Sequence, residues 1–295
     1  MAMKQEITGH TALYCLLGSP VAHSISPQMH NASFLHHGID ARYLAFDVKP
    51  EQLADAINGL KAIGIKGFNL TMPLKREMVP FCDRLSPAAE ICGAVNTVIN
   101  ENGILTGTTT DGIGYLLSAK DAAGFDDLHG KKIVQLGAGG AGVSALVQAA
   151  LDGAAQIDLF NAHARPELLR IVDQLQTRTR CDVRFHLLAD QDALKKAVGQ
   201  ADLLVNTTPV GMAPDLEGQS LITDPGWFHK NLVVSDMIYE PMETKLLALA
   251  RQAGCKTFNG LYMLLYQGAA SFKIWTGLEM PVEEIKKKYF TPKKR

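Results

Sequence analysis

Short apolar runs alternate with helical segments through the middle of the chain. The run Lys132 to Leu136 contains β-branched residues and leads directly into glycines, and residues 143–151 have a helical composition that stops before Gly153. The same pattern predicts further strands at 157–160, 183–188, 202–205, 232–234 and 255–258, and further helices at 166–175, 192–198 and 244–253. Strands that alternate with helices indicate βαβ units and a parallel sheet.

The first 110 residues carry the same two kinds of signal and predict a second α/β unit. Its predicted strands are 13–17, 43–48 and 67–71, its helices are 26–37 and 52–63, and a hairpin is predicted around Asn102-Gly103 between 95–99 and 104–107. A long apolar helix at 262–276 follows the central region, and we expect it to pack back on this first unit.

Composition narrows the class of protein. Apolar residues make up 47% of the chain and charged residues 20%, which is typical of a globular protein and excludes a disordered one. The net charge of −1 argues against a broad nucleic-acid surface, and no apolar run reaches the length of a membrane helix. The five cysteines lack paired or metal-ligand spacing, so we expect reduced thiols, a cytoplasmic location and no metal site.

A glycine-rich segment follows the first strand of the central region. Gly137, Gly139 and Gly142 match G-x-G-x-x-G, with a strand before them and a helix of small residues after them. In that context backbone N–H groups and a helix N-terminus point at a pyrophosphate. The alternative is a turn whose glycines serve helix–strand packing alone. The order of elements therefore predicts an N-terminal α/β domain, an inserted Rossmann-type nucleotide domain and a returning C-terminal helix.

The end of the second strand of this domain bears on the choice of nucleotide. The acidic residue that usually binds the ribose 2′-hydroxyl is missing there, since Asp158 lies too early and Glu167 falls in the next helix. Arg165, together with His163, favours a 2′-phosphate and hence NADP. Arg165 as an ordinary surface residue is the alternative.

Several polar segments in the first unit could belong to a binding or catalytic site, but each one is weak evidence by itself. Ser24 and Ser26 open a predicted helix, where they fit either an anion site or simple N-capping. Lys75 follows a strand and a proline turn, although a single lysine is most often solvated. Asp111 precedes Gly112, a pair that is typical of a turn.

Taken together, these segments resemble the shikimate dehydrogenase family over nearly the whole chain. The matching motifs are HSISP (23–27), NLTMPLK (69–75), GAVNT (93–97), TTDGIG (109–114), GAGGAG (137–142), VNTTPVGM (205–212), DMIYEPMETKLL (236–247) and NGLYMLLYQGA (259–269). The segments 8–11 and 279–282 are similar to the quinate/shikimate dehydrogenase branch of that family.

The resemblance implies a two-domain enzyme with a cleft between its domains, which reversibly reduces 3-dehydroshikimate to shikimate with NADP or NAD. It places the substrate and catalytic domain at residues 1–111 with 260–295, and the dinucleotide-binding domain at residues 112–259. Lys75 is the implied catalytic group, with Asp111 as its partner. The implied substrate-binding residues are Ser24, Ser26, Thr71, Asn96, Asp111, Tyr239 and Gln267. The implied cofactor-binding residues are Gly137, Ala138, Gly139, Gly140, Ala141, Asn161, His163, Arg165, Met237 and Gly260.

The chain departs from the family pattern in two places. Thr109 stands where the family commonly has Asn before Thr-Asp-Gly. Ala162 replaces the Arg that often ends the second nucleotide strand, and Ala164 stands where NAD-using relatives tend to have Asp. Neither cofactor's usual signature is complete, so NADP is the preferred prediction and NAD the alternative.

Other functions remain open at this point. The same framework fits an enzyme that acts mainly on quinate, or an oxidoreductase for another small hydroxy acid. A metabolite sensor without catalysis would be expected to have lost Lys75 and Asp111, and both are present. The sequence does not determine the oligomeric state, for which a homodimer is one candidate.

Overall fold

A computed structural model describes residues 6–125 and 127–290. The contacts divide the chain into two compact units. The first unit holds the described residues up to Thr110 and those from Leu265 onward, and the second unit is Asp111–Leu264. The helix predicted at 262–276 runs from Leu261 to Thr276, so most of it belongs to the first unit.

The strands and helices that the apolar pattern predicts are all present and in the predicted order, and four further strands or α-helices, at 84–85, 87–92, 111–123 and 282–285, were not predicted. The strands are β1 (Ala12–Gly18), β2 (Ala41–Asp47), β3 (Gly67–Leu70), β4 (Arg84–Leu85), β5 (Thr97–Glu101), β6 (Ile104–Thr108), β7 (Lys132–Leu136), β8 (Gln156–Asn161), β9 (Asp182–Leu187), β10 (Leu203–Asn206), β11 (Val233–Asp236) and β12 (Lys256–Phe258). The α-helices are α1 (Ser26–His36), α2 (Leu53–Ala62), α3 (Pro87–Cys92), α4 (Asp111–Ala123), α5 (Gly140–Leu151), α6 (Pro166–Arg178), α7 (Gln191–Val198), α8 (Lys245–Gln252), α9 (Leu261–Thr276) and α10 (Val282–Ile285). Across the described residues, these helices fall short of the length and apolarity that crossing a bilayer requires.

The first unit is built on a mixed six-stranded sheet in the order β2-β1-β3-β5-β6-β4. Strands β2, β1 and β3 are parallel, and β5 runs antiparallel to both β3 and β6. The predicted hairpin joins β5 to β6 through Asn102 and Gly103, which both have positive φ. Because β1, β3 and β6 run in the same direction, the segments after them and the segment before β5 lie at one edge of this sheet.

The second unit is built on a fully parallel six-stranded sheet in the order β12-β11-β10-β7-β8-β9. The central strand β10 is buried at all four positions, as a parallel strand covered on both faces should be. Strand order reverses on either side of β7, and ligands of such sheets bind at the carboxyl ends of the strands beside that point. The predicted α/β class with a Rossmann-type domain is confirmed.

One predicted turn is wrong. Asp111 and Gly112 do not form a turn but begin the 13-residue helix α4. Gly112 belongs in this helix because α4 packs closely on α5, where a Cβ at Gly112 would overlap the Ser144 carbonyl oxygen. The glycine that suggested a turn is therefore a point of close helix–helix contact.

A buried histidine lies in the aromatic core of the first unit. His30 on α1 is fully buried, and its ring stacks on Tyr43 with centroids 4.4 Å apart. Among the described residues, neither ring nitrogen has a hydrogen-bond partner. Burial lowers the pKa of His30 to about 3, because the charged imidazolium would lose its hydration without compensation.

This histidine is expected to destabilise the protein in mild acid. The unfolded chain takes up a proton below its ordinary pKa near 6.5, whereas folded His30 stays neutral until about pH 3, so stability is lost as pH falls between these values. Between pH 6.5 and 4.5 the loss is about 2 kcal/mol, at 1.36 kcal/mol per pH unit. We expect His30→Phe to flatten this dependence, as measured by urea unfolding at both pH values.

The matched control is His10→Phe, because His10 is exposed. The readout is the difference between the two pH values, so a constant packing cost of the larger ring cancels. An unchanged difference in His30→Phe would contradict the interpretation.

Candidate functional site

The glycine-rich segment of the second unit forms a tight turn between β7 and α5. Gly137 adopts φ +90°, a conformation that favours glycine, and Gly139 is the extended residue that precedes the helix. Helix α5 begins at Gly140, three residues earlier than the sequence predicts. The first backbone N–H groups of α5 therefore belong to the glycine segment itself, where they have no partners within the helix.

The glycines of this turn serve two different purposes. A Cβ at Gly137 would come within 2.5 Å of the Thr208 side chain, and one at Gly142 would overlap the Thr207 hydroxyl. Gly139 and Gly140 instead face open space. The first pair allows close packing of the turn, and the second pair leaves the backbone accessible to an anion, which is the arrangement that a dinucleotide pyrophosphate requires.

Two polar side chains, buried Gln135 and half-buried Thr207, hold the turn in place. Gln135 Nε2 donates to the carbonyls of Gly137 and Gly142, both at 2.9 Å. Thr207 Oγ1 lies within hydrogen-bonding distance of the carbonyls of Leu136 (3.0 Å) and Gly137 (2.9 Å). Sequence reasoning missed both residues, although a glutamine inside the apolar run KIVQL was a visible signal.

A cleft of about 410 Å³ opens beside this turn, within the second unit. Its walls are the segments 139–141, 207–209, 212–213 and 237–240. Met237 and Tyr239 thus line the same cleft as Gly139 and Gly140, and Tyr239 is 43% exposed. Gly260 fits directly against Met237, since a Cβ there would overlap the Met237 carbonyl oxygen.

The segment after β8 brings a cation to the glycine turn. Arg165 Nη2 donates to the Ala138 carbonyl oxygen at 2.7 Å, and Asn161 Nδ2 donates to the carbonyl of exposed His163 at 2.8 Å. Asp158 is buried inside β8, with its Oδ1 2.9 Å from His186 Nε2. The arginine therefore lies at the turn and the nearby acid does not.

The first unit carries the other set of predicted residues at the edge of its sheet. Thr71 directly follows β3, and the Leu70 N–H donates to the Asn96 carbonyl at 2.8 Å. The Val95 N–H donates to the Lys75 carbonyl, also at 2.8 Å. These two hydrogen bonds hold the segments of Thr71, Lys75 and Asn96 together. Lys75 and Thr71 are half-buried and Asn96 is buried.

A buried network of hydroxyl and amide groups lies behind these residues. Ser271 Oγ on α9 is within hydrogen-bonding distance of the Asn69 amide and of the Thr97 and Thr110 hydroxyls, at 2.8–3.2 Å. Asn96 Oδ1 accepts from the Thr110 N–H at 2.8 Å. The network fixes α9 against β3 and β5, one turn after Gln267. Ser271, Asn69 and Thr97 were not predicted from the sequence.

The two serines open α1 at the same edge of the sheet. The Ser26 N–H donates to Ser24 Oγ at 3.3 Å, and both residues are half-buried. The hydroxyl of fully buried Tyr43 donates to Asn69 Oδ1 at 2.8 Å. Burial raises the pKa of Tyr43, and the neighbouring Ser26 side chain offsets part of that rise. Tyr43, which sequence reasoning missed, thus lies beside Ser26 and is bonded to the network behind Asn96.

The aspartate that the resemblance pairs with Lys75 begins the second unit. Asp111 is the first residue of α4 and is 8% exposed. A carboxylate in the first turn is favoured by the helix dipole. One turn later the Tyr115 hydroxyl lies 2.6 Å from Ser235 Oγ on β11, which fixes this end of α4 to the parallel sheet.

Comparisons with known proteins match both ends of the chain to domain families and nearly its whole length to single proteins. Residues 16–98 match the shikimate dehydrogenase substrate binding domain, and residues 260–288 match the shikimate 5′-dehydrogenase C-terminal domain. A shikimate dehydrogenase (NADP(+)) of Streptococcus pyogenes serotype M28 is 48% identical over 96% of this chain and 98% of its own. One of Listeria innocua serovar 6a is 43% identical over 97% of this chain and 98% of its own.

Solved structures give the same result. The crystal structure of shikimate 5-dehydrogenase from Listeria monocytogenes, in complex with shikimate and NAD, superposes with a TM-score of 0.91 at 42% identity. The match covers 97% of this chain and 98% of that one. Identity of this level over nearly the full length of both chains means that the protein belongs to the shikimate dehydrogenase family.

Proposed function

We propose that this protein is an NAD(P)-dependent shikimate dehydrogenase, which reversibly reduces 3-dehydroshikimate to shikimate. The observation that carries the proposal is the convergence of Thr71, Lys75 and Asn96 at one edge of the first sheet. Relatives named shikimate dehydrogenase (NADP(+)), which are 43% and 48% identical over nearly the full length of both chains, support it. Residues up to Thr110 and from Leu265 form the proposed substrate domain, and Asp111–Leu264 the proposed nucleotide domain.

The substrate offers a carboxylate and ring hydroxyls, and the first unit offers groups for both. Ser24 and Ser26 donate to the carboxylate from the start of α1. Thr71, Asn96 and Gln267 hydrogen-bond the ring hydroxyls. The family resemblance also gives Tyr239 a place among the substrate-binding residues. Recognition by several fixed polar groups rejects analogues that lack a matching hydroxyl, because a buried group would then lose its partner.

Lys75 and Asp111 supply the proton chemistry. When the ketone of 3-dehydroshikimate is reduced, negative charge develops on its oxygen. The Lys75 ammonium stabilises that charge and donates the proton, and the amine takes the proton back during oxidation. Asp111 orients the ammonium and accepts a hydrogen bond from a substrate hydroxyl.

The glycine turn and the cleft beside it fit a dinucleotide. Gly139 and Gly140 leave the backbone N–H groups open to the pyrophosphate, with Ala138 and Ala141 beside them. In this proposal Asn161, His163 and Arg165 bind the adenosine ribose, and Met237 and Gly260 bind the opposite end of the dinucleotide. The bound dinucleotide supplies or accepts the hydride.

The test is a set of four initial-rate assays with purified protein. Shikimate and quinate are each combined with NADP⁺ and NAD⁺, and formation of the reduced nicotinamide is followed at neutral pH. We expect the fastest turnover with shikimate and NADP⁺. Faster turnover of quinate would assign the protein to the quinate branch, and no turnover in any assay would contradict the proposal.

The cellular location and the oligomeric state of the protein can each be tested by a simple measurement. The five cysteines are free, which fits a cytoplasmic protein, and fractionation of cells would test that location. A homodimer stays a prediction that the mass in solution tests.

The hydroxyl of Tyr43 is expected to matter for shikimate but not for the nucleotide. Tyr43→Phe removes the hydrogen bond to Asn69, and with it the hydroxyl beside Ser26, and keeps the ring. A neutral hydrogen bond contributes about 0.5–1.5 kcal/mol, so KM for shikimate should rise by about 2- to 10-fold. Steady-state kinetics should show an unchanged KM for NADP⁺.

Tyr14→Phe is the matched control, because Tyr14 belongs to the same aromatic cluster and its ring lies 5.1 Å from that of Trp275. Equal effects of the two variants on shikimate would indicate a general loss of packing and would refute the role of the Tyr43 hydroxyl.

A further inference from the structure

A buried carboxylate lies directly behind the wall of the nucleotide cleft. Asp236 is the last residue of β11 and only 1% exposed. Its Oδ1 accepts from Asn206 Nδ2 at 3.1 Å and from the Ile238 N–H at 3.0 Å. Its Oδ2 accepts from Thr244 Oγ1 at 2.8 Å. One side chain therefore joins the end of β10, the segment after β11 and the start of α8.

Each of these partners controls a different part of the cleft. Asn206 Oδ1 accepts from the backbone and side chain of Thr208, and its Nδ2 donates to the Val210 carbonyl at 3.1 Å. It thereby shapes the segment 207–209, which lines the cleft. Ile238 belongs to the lining segment 237–240. Thr244 caps α8 and thereby fixes the end of the longer segment between β11 and α8, which contains these lining residues.

We propose that Asp236 is a positioning residue for nucleotide binding, whose ionised carboxylate holds the two walls of the cleft in the shape that accepts the dinucleotide. Asp236 itself does not line the cleft. It acts through Asn206, Ile238 and Thr244. The inference rests on the proposed function, since it takes NADP⁺ to be the occupant of the cleft, and it adds a residue to which the family resemblance gave no role.

The charge on this carboxylate is expected to change in mild acid. Burial raises the pKa of Asp236 to about 6, against the opposing effect of its three hydrogen bonds. From α4, the facing titratable group is Tyr115, whose own pKa is raised by burial and, to a smaller extent, by the Asp236 charge. Tyr115 stays neutral over the acid range. The charged residues beside the partners, Glu240, Glu243 and Lys245, are exposed.

Protonation weakens the arrangement in a specific way. A carboxylate accepts all three hydrogen bonds with the added strength of its charge, whereas a neutral carboxyl has one oxygen that carries a proton and is a poorer acceptor. Asp236→Asn reproduces the neutral state in nearly the same volume. We therefore expect NADP⁺ to bind this variant about fivefold more weakly than wild type at pH 7.5, the difference between a charged and a neutral acceptor.

The experiment is calorimetric titration of NADP⁺ into the whole protein at pH 7.5 and pH 5.2. The affinity of wild type for NADP⁺ should fall between pH 7.5 and pH 5.2. The fall in affinity of Asp236→Asn over the same range should be about fivefold smaller. The 2′-phosphate of NADP⁺ also titrates near pH 6, but it does so with both proteins, so the difference between them isolates Asp236. Asp158→Asn is the matched control, being a buried carboxyl in the same sheet that makes its hydrogen bonds away from the cleft.

A second pair of variants tests the same point with the carboxylate intact. Thr244→Val removes one donor to Asp236, and Thr244→Ser keeps it. Weaker NADP⁺ binding by Thr244→Val, with unchanged binding by Thr244→Ser, would support the inference. This comparison remains informative even if Asp236→Asn fails to fold. Equal affinity of Asp236→Asn and wild type at pH 7.5, or the same loss in Asp158→Asn, would overturn it. Absence of NADP⁺ binding by wild type at both pH values would instead overturn the proposed function, and the inference with it.

Discussion

Replacing Lys75 by methionine is expected to lower kcat for shikimate oxidation by about 10²- to 10⁴-fold, the usual contribution of a positioned general acid or base. Methionine keeps most of the unbranched side chain, which is half-buried here, and removes the ammonium. The carbonyl of Lys75 holds Val95 through the backbone, so the substitution leaves that hydrogen bond in place. Shikimate binding should therefore survive while turnover is lost.

The measurement is kcat with saturating NADP⁺, paired with calorimetric binding of shikimate. Lys61→Met is the control, because Lys61 is an exposed lysine on α2 of the same unit. Lys75→Arg separates two contributions: it keeps a positive charge near the oxygen but does not give up a proton at neutral pH. A Lys75→Met enzyme with wild-type turnover would refute the catalytic assignment.

The second unit was the more predictable part of the fold, and the reason is physical. Parallel strands are buried on both faces, so β7, β10 and β11 read as short apolar runs between amphipathic helices. The glycine turn was equally predictable from the sequence. Its close packing leaves no room for a side chain at Gly137 or Gly142, so both positions must be glycine and form a recognisable motif. Signals of this kind are local, and the sequence carries them directly.

The parts that were missed depend on contacts between distant residues. Asn69 and Ser271 are 202 positions apart, and nothing local to either residue indicates that they share a hydrogen bond. Helix α4 was missed for a related reason: Gly112 weakens its helical signal, and its compensation lies on α5. Tyr43 looked like an ordinary strand residue because its role depends on Ser26 and Asn69. A site predicted from motifs therefore lacks the side chains that hold the motifs in position.

The same limit applies to the choice of cofactor, for which Arg165 gives the sharpest test. Its guanidinium is held at the glycine turn by the Ala138 carbonyl, at the position where a dinucleotide would approach. Arg165→Ala is expected to lower kcat/KM for NADP⁺ by about 10- to 100-fold relative to that for NAD⁺. A hydrogen bond to a charged group contributes about 1.5–3 kcal/mol, and each 1.4 kcal/mol changes affinity tenfold.

The ratio of the two kcat/KM values is the informative quantity. Loss of the Ala138 contact disturbs the turn for both nucleotides, whereas loss of the charge affects only the one that carries a 2′-phosphate. Arg170→Ala is the matched control, since Arg170 is an exposed arginine on α6, the helix that Arg165 precedes. If Arg165→Ala lowers both kcat/KM values equally, the arginine serves the turn rather than the phosphate. The NADP preference would then have to come from His163 or from another residue of this segment.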